Sequence, residues 1–127
     1  MQEDATSNIL IVDDDELVSE YLGALLGVEG YAVTVMNDSP KALKYFTENP
    51  DYFDLVVTDQ VMPVLTGVEM SRSILELRPN IPIVLITGYS EQINEENAES
   101  HGLSSFFLKP INEEQFLSKI KDLLLSC

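Results

Sequence analysis

Five short apolar runs, recurring at nearly regular intervals, constrain this 127-residue chain more than any other feature. They are Ile9–Val12, Ala32–Met36, Leu55–Thr58, Ile83–Ile86 and Phe106–Leu108. Most are uninterrupted and β-branched rather than alternating, which suits strands covered on both faces, as in a parallel sheet. The intervening segments carry helical signals. Glu16 to Leu26 places Leu17, Val18, Tyr21, Leu22, Leu25 and Leu26 at three- and four-residue spacings, with Gly27 and Gly30 as terminators. A second helix is expected from Ser39 as N-cap and Pro40 at the first helical position, with Ala42, Leu43 and Phe46 inward. A third runs from near Thr66 to about Leu77, stopped by Pro79, and a last one starts at Asn112, with Phe116, Ile120, Leu123 and Leu124 inward. The segment Glu91–Ser100 has only Ile93 and Ala98 as apolar anchors, so it reads as a weakly held helix that could shift.

Regular alternation of strand and helix predicts an α/β fold: one doubly wound five-stranded parallel sheet with helices on both faces. In such folds ligands bind beyond the carboxyl ends of the strands. Those ends carry Asp13, Asp14 and Asp15 after the first run, Asp59 after the third, Thr87 and Gly88 after the fourth, and Lys109 and Pro110 after the fifth. Singly, each has an ordinary explanation, since an aspartate at a strand-to-helix junction commonly caps the helix. Together they put several carboxylates, a hydroxyl and an ammonium on one edge of one sheet. Clustered carboxylates raise each other's pKa unless a cation compensates them, and Lys109 offers one charge. The remainder suits a hard divalent ion with oxygen ligands such as Mg2+. A carboxylate beside such an ion is equipped to accept a phosphoryl group.

With Ile9–Asp15, Asp59-Gln-Val-Met-Pro63 followed by Gly67, Ile86-Thr-Gly88 and Phe106–Pro110, the chain resembles the response regulator receiver family of two-component signalling from about Ser7 to Leu125. The resemblance implies the flavodoxin-like strand order 2-1-3-4-5. It also implies that Asp59 is phosphorylated by a phosphohistidine of a histidine kinase or phosphotransfer protein. Asp14 would bind Mg2+ directly, Asp13 mainly through water, and the Val61 carbonyl would complete the ligands with Asp59. Thr87 would hydrogen-bond a phosphoryl oxygen, Lys109 would pair with Asp59 or the phosphoryl group, and the Lys109–Pro110 bond would be cis. Phe106 matches a switch aromatic. The kinase would dock near Val18 and Leu22, and output would pass through the fourth strand, the weak helix and the fifth strand.

Three positions depart from common family usage. Phe106 stands where tyrosine is frequent and lacks its hydroxyl. Val61 and Tyr89 occupy the two positions whose side chains influence attack by water, and neither is a carboxylate or amide suited to orienting one. A long-lived phosphoryl state is the expectation.

Composition narrows the setting. With 22 acidic against 7 basic residues the formal charge is -15, which repels nucleic-acid backbones and anionic lipid surfaces. No apolar run approaches the ~20 residues a membrane span needs. The single Cys127 has no partner for a disulfide, and nothing near Met1 resembles a signal peptide, which together suggest the cytoplasm. His101 precedes Gly102 and reads as a residue at a helix end. A flexible segment over 1–7 and one receiver domain over 8–125 are expected, either standing alone or belonging to a hybrid histidine kinase. Two other readings are a pseudo-receiver that binds a partner without phosphorylation and a Mg2+-dependent phosphatase with an aspartyl nucleophile. The second usually needs an acid two residues after the nucleophile, where Val61 stands.

Overall fold

The computed structural model describes residues 6–88 and 102–125. Five strands, β1 (Asn8–Val12), β2 (Ala32–Met36), β3 (Leu55–Asp59), β4 (Ile83–Thr87) and β5 (Ser105–Leu108), form one parallel sheet in the order β2-β1-β3-β4-β5. Four helices occur among the described residues: α1 (Glu16–Val28), α2 (Ser39–Glu48), α3 (Gly67–Leu77) and α4 (Glu113–Leu125). The expected helix at Glu91–Ser100 lies outside the described residues, as do Tyr89, His101, Cys127 and residues 1–5 of the segment expected to be flexible. Ser7 already joins the fold, its carbonyl accepting from the Ala32 N–H at 3.0 Å.

The apolar runs of β1, β3 and β4 are continuous because these inner strands are buried on both sides, whereas the edge strands β2 and β5 are only partly buried. Leu10, Val12, Val56 and Leu85 point into a core closed by Ala42 and Phe46 of α2 and by Val68, Met70 and Ile74 of α3. Ile9, Ile11, Leu55, Val57, Val84 and Ile86 point the other way, against Leu22 and Leu26 of α1 and Phe116 and Ile120 of α4. Adjacent residues therefore serve opposite cores, as the two-residue period of a strand requires.

Several local expectations are corrected. Leu17 is 79% exposed and Tyr21 44%, because the buried face of α1 is centred on Ser19, Leu22 and Leu26. Leu17 lies five residues before Leu22, roughly 140° around the helix. Gly27 is helical, and α1 ends instead at Glu29 followed by Gly30 at φ +99°. Helix α2 is capped by Asp38, whose carboxylate accepts from the Lys41 N–H at 2.9 Å, so Ser39 is already inside the helix. Freed from capping, the Ser39 hydroxyl donates to the Leu65 carbonyl at 2.7 Å and fastens the start of α2 to the β3–α3 loop. Thr66 caps α3 in a reciprocal box with Glu69.

Candidate functional site

The parallel register brings the carboxyl ends of β1, β3, β4 and β5 to one edge, where Val12 pairs with Thr58 and Asp59 with Ile86. Beyond that edge, carboxylate oxygens of Asp13, Asp14 and Asp59 all lie within 4.8 Å of one another. Asp13 and Asp59 are 1% and 8% exposed, while Asp14 is open to solvent. Lys109 reaches across from β5 to both buried acids, with Nζ 3.2 Å from Asp13 Oδ2 and 3.4 Å from Asp59 Oδ1. The Lys109–Pro110 bond is cis. Lys109 is also tied to β4, since its N–H donates to the Thr87 carbonyl at 2.9 Å. Thr87 is fully buried at the end of β4, and Gly88 beside it is exposed.

Two buried carboxylates share one ammonium, and the electrostatics reflect the deficit. Burial, and then the neighbouring Asp13 carboxylate, push the Asp59 carboxyl up to about 6, against the opposing pull of Lys109 and a backbone hydrogen bond from Gln60. Burial lowers the Lys109 ammonium, but the attraction of Asp59 and Asp13 outweighs it, so its pKa stands above the ordinary lysine value. An all-oxygen donor set with uncompensated negative charge and one solvent-facing carboxylate fits a hard divalent cation that retains waters. The third aspartate is separate from this cluster in role: Asp15 is the N-cap of α1, accepting from the N–H groups of Leu17 and Val18.

The loop after β3 holds the site in place through contacts that sequence reasoning missed. Gln60 is buried, and its Oε1 accepts from the Val68 N–H at 2.9 Å while its carbonyl accepts from Gly67 at 3.0 Å. It thereby staples the start of α3 to the residue after Asp59. Nothing in local sequence marks a glutamine for this task. Gly67, part of the motif after Asp59, is required for a steric reason: a Cβ there would meet the Asp59 carbonyl oxygen at 2.2 Å. Met62 is buried, whereas Val61 is 65% exposed at the rim. Phe106 is partly buried and packs against the core beneath α2 and α3.

Val64 has φ 72° and is 89% exposed, an unusual conformation for a β-branched side chain. Left-handed backbone costs a non-glycine residue about 1–2 kcal/mol, and asparagine tolerates it better. Val64→Asn is therefore expected to stabilise the protein by about 1 kcal/mol in urea unfolding. A neutral or destabilising result would contradict the strain.

The sequence matches the response regulator receiver domain family over residues 9–121. The chain belongs to that family. Among curated relatives of this receiver, the transcriptional regulatory protein CpxR homolog of Haemophilus influenzae is 32% identical over 93% of this chain and 50% of its own length. The chain thus spans about half the length of the curated relatives it matches first. Among solved structures, a response regulator receiver domain protein from Clostridium thermocellum superposes with TM-score 0.88 at 28% identity, covering 94% of this chain and 95% of that one. The response regulator protein TrrA of Thermotoga maritima, in complex with Mg(2+)-BeF, has TM-score 0.82 at 30% identity over 93% and 99% of the two chains. The strand order expected of a receiver is the order observed. No helix among the described residues is long and apolar enough to cross a membrane.

Beside the acidic edge of this receiver, an apolar cavity of about 430 Å³ separates Val18, Tyr21 and Leu22 of α1 from Lys109, Pro110 and Ile111. The Tyr21 hydroxyl donates to the Glu113 carboxylate and ties α1 to α4 along it.

Proposed function

We propose that residues 8–125 form a phosphoacceptor unit in which Asp59 takes a phosphoryl group from a phosphohistidine of a histidine kinase or phosphotransfer protein. The observation that carries this reading is the convergence of Asp13, Asp14 and Lys109 on Asp59. An Asp59 carboxylate oxygen forms the new P–O bond as the P–N bond to the donor imidazole breaks, and the imidazole leaves with the bonding electrons. Lys109 and the Thr87 hydroxyl receive phosphoryl oxygens, so the chain contributes positioning and charge neutralisation rather than a separate nucleophile. Asp13, Asp14, Asp59 and the Val61 carbonyl would hold Mg2+, which supplies positive charge for the transferring group. The donor would seat on the apolar cavity beside Val18 and Leu22, which opens next to Lys109.

Thr87 and Phe106 are the proposed switch pair, sending the change to the surface of the fourth strand, the segment after it and the fifth strand, where a partner or the kinase core of a larger hybrid chain would respond. The setting is cytoplasmic, and the charge of -15 speaks against direct nucleic-acid contact by this unit. Titration with Mg2+ and beryllofluoride tests the reading: saturable binding of both supports it. Failure to bind either would favour a pseudo-receiver, and turnover of generic phosphoesters a phosphatase.

The phosphoryl lifetime follows from the side chains around Asp59. The exposed Val61 gives water no hydrogen bond, and Tyr89 carries no carboxylate or amide. Val61→Asn is expected to speed loss of the phosphoryl group roughly tenfold, the effect of about 1.4 kcal/mol from one added hydrogen bond to the attacking water. The decay of phosphoprotein after donor removal measures it. A wild-type half-life of seconds, unchanged by Val61→Asn or Tyr89→Glu, would overturn the lifetime argument.

A further inference from the structure

The peptide between Asp13 and Asp14 leaves the sheet and must turn into α1 within two residues. Its preceding N–H is still held, since Asp13 N donates to the Met36 carbonyl at 3.2 Å and extends the β1–β2 ladder. The Asp13 carboxylate is held separately, Oδ1 by the Asp15 N–H at 2.9 Å and Oδ2 by Lys109. The Asp13 carbonyl is taken by a side chain instead of a strand: Asn37 Nδ2, in the β2–α2 loop, donates to it at 2.8 Å. The same nitrogen donates at 2.8 Å to the hydroxyl of Ser19, a fully buried residue of α1.

The Ser19 hydroxyl uses its one hydrogen on the Glu16 carbonyl at 3.0 Å, so toward Asn37 it can only accept. Both neighbours of the amide are then acceptors, which requires its nitrogen, with two hydrogens, to face them. One side chain thus joins the end of β1, the first turns of α1 and the end of β2. It fixes the tilt of the peptide that carries Asp14, the solvent-facing carboxylate of the cluster.

We infer that Asn37, oriented by Ser19, is a positioning residue for the divalent-cation site, setting the Asp13–Asp14 peptide before the metal arrives. The inference rests on the proposed Mg2+ site. Hydrogen-bond partners that orient metal ligands typically change affinity by about 10–100-fold. Because Asn37 is exposed and acts through the backbone, the lower end applies.

Calorimetric titration of Mg2+ into the whole chain, with amide hydrogen exchange of the metal-free protein, tests this. Asn37→Ala and the similarly sized Asn37→Leu should each weaken Mg2+ binding about tenfold, and both should speed exchange at the hydrogen-bonded Asp13 and Asp15 amides without changing exchange in β3 and β4. Ser19→Ala should weaken binding by a smaller factor, and the Ser19→Ala/Asn37→Ala pair no further than Asn37→Ala alone. Should either Asn37 variant fail to fold, the Ser19→Ala binding constant decides. Mg2+ affinity within twofold of wild type in the folded variants would overturn the inference while leaving the proposed site intact. An absence of Mg2+ binding by the wild-type chain would overturn both.

Discussion

At pH 8 and without divalent metal, Asp59→Asn is expected to stabilise the protein by roughly 2–3 kcal/mol. The carboxyl of Asp59 moves from 3.8 in the unfolded chain to about 6 in the fold, because burial and Asp13 disfavour its charge more than Lys109 favours it. The folded state therefore binds this proton more tightly than the unfolded state. Stability is then fully present below pH 3.8 and is lost as pH rises to about 6, with a flat deficit above. Asparagine keeps an oxygen for Lys109 and cannot ionise, so it removes the loss. The gap between variant and wild type, followed by urea unfolding in chelator, should be near zero at pH 3.5 and widen to its full value by pH 7. Millimolar Mg2+ should narrow it at pH 8, because an ion bound to the folded wild type stabilises it by mass action. A gap that is constant with pH, or that favours wild type at pH 8, would contradict the charge deficit.

Gly67→Ala gives the second large effect. In most helices this change is favourable by about 1 kcal/mol through helix propensity alone. Here the added Cβ would lie 2.2 Å from the Asp59 carbonyl oxygen and 2.9 Å from Leu85 Cδ1. The leucine methyl can rotate, but the carbonyl belongs to the last residue of β3 and has little freedom. Helix α3 must therefore move away from the strand, straining the Gly67-to-Gln60 and Val68-to-Gln60 bonds that hold its first turn. Overpacking of this kind costs about 1–3 kcal/mol, and the two capping bonds add to it, so a net loss of about 3 kcal/mol is expected in urea unfolding. Mg2+ affinity should fall as well, because α3 is bonded to Gln60 and its shift pulls on the loop that carries Asp59 and the Val61 carbonyl. A variant as stable as wild type would mean that the contact between α3 and Asp59 is looser than these distances imply.

Much of this architecture was legible because its causes are local. Uninterrupted β-branched runs identify strands buried on two sides, and the topology then fixes which residues share an edge. That is why Asp13, Asp14, Asp59 and Lys109 could be grouped although they are scattered over the chain. Where the cause was a competition between neighbours, the reading slipped: Asp38 and Ser39 are both good caps, and the aspartate won while the serine found Leu65. Contacts across 24 positions, such as Asn37 with Asp13, leave no periodic trace in sequence. Val64 was illegible for the opposite reason, since a β-branched residue is among the last expected at positive φ. Gly67 stands out in the sequence only as part of a motif, and the contact that demands its lack of a side chain, with the Asp59 carbonyl, is visible only in three dimensions.

Asp59 is the proposed phosphoacceptor. Intact-mass spectrometry after incubation with acetyl phosphate and Mg2+, comparing wild type with Asp59→Ala, tests it directly. The wild-type protein should gain the mass of one phosphoryl group, dependent on Mg2+ and absent from the variant. The same gain on Asp59→Ala, or none on folded wild type with Mg2+ bound, would contradict that role.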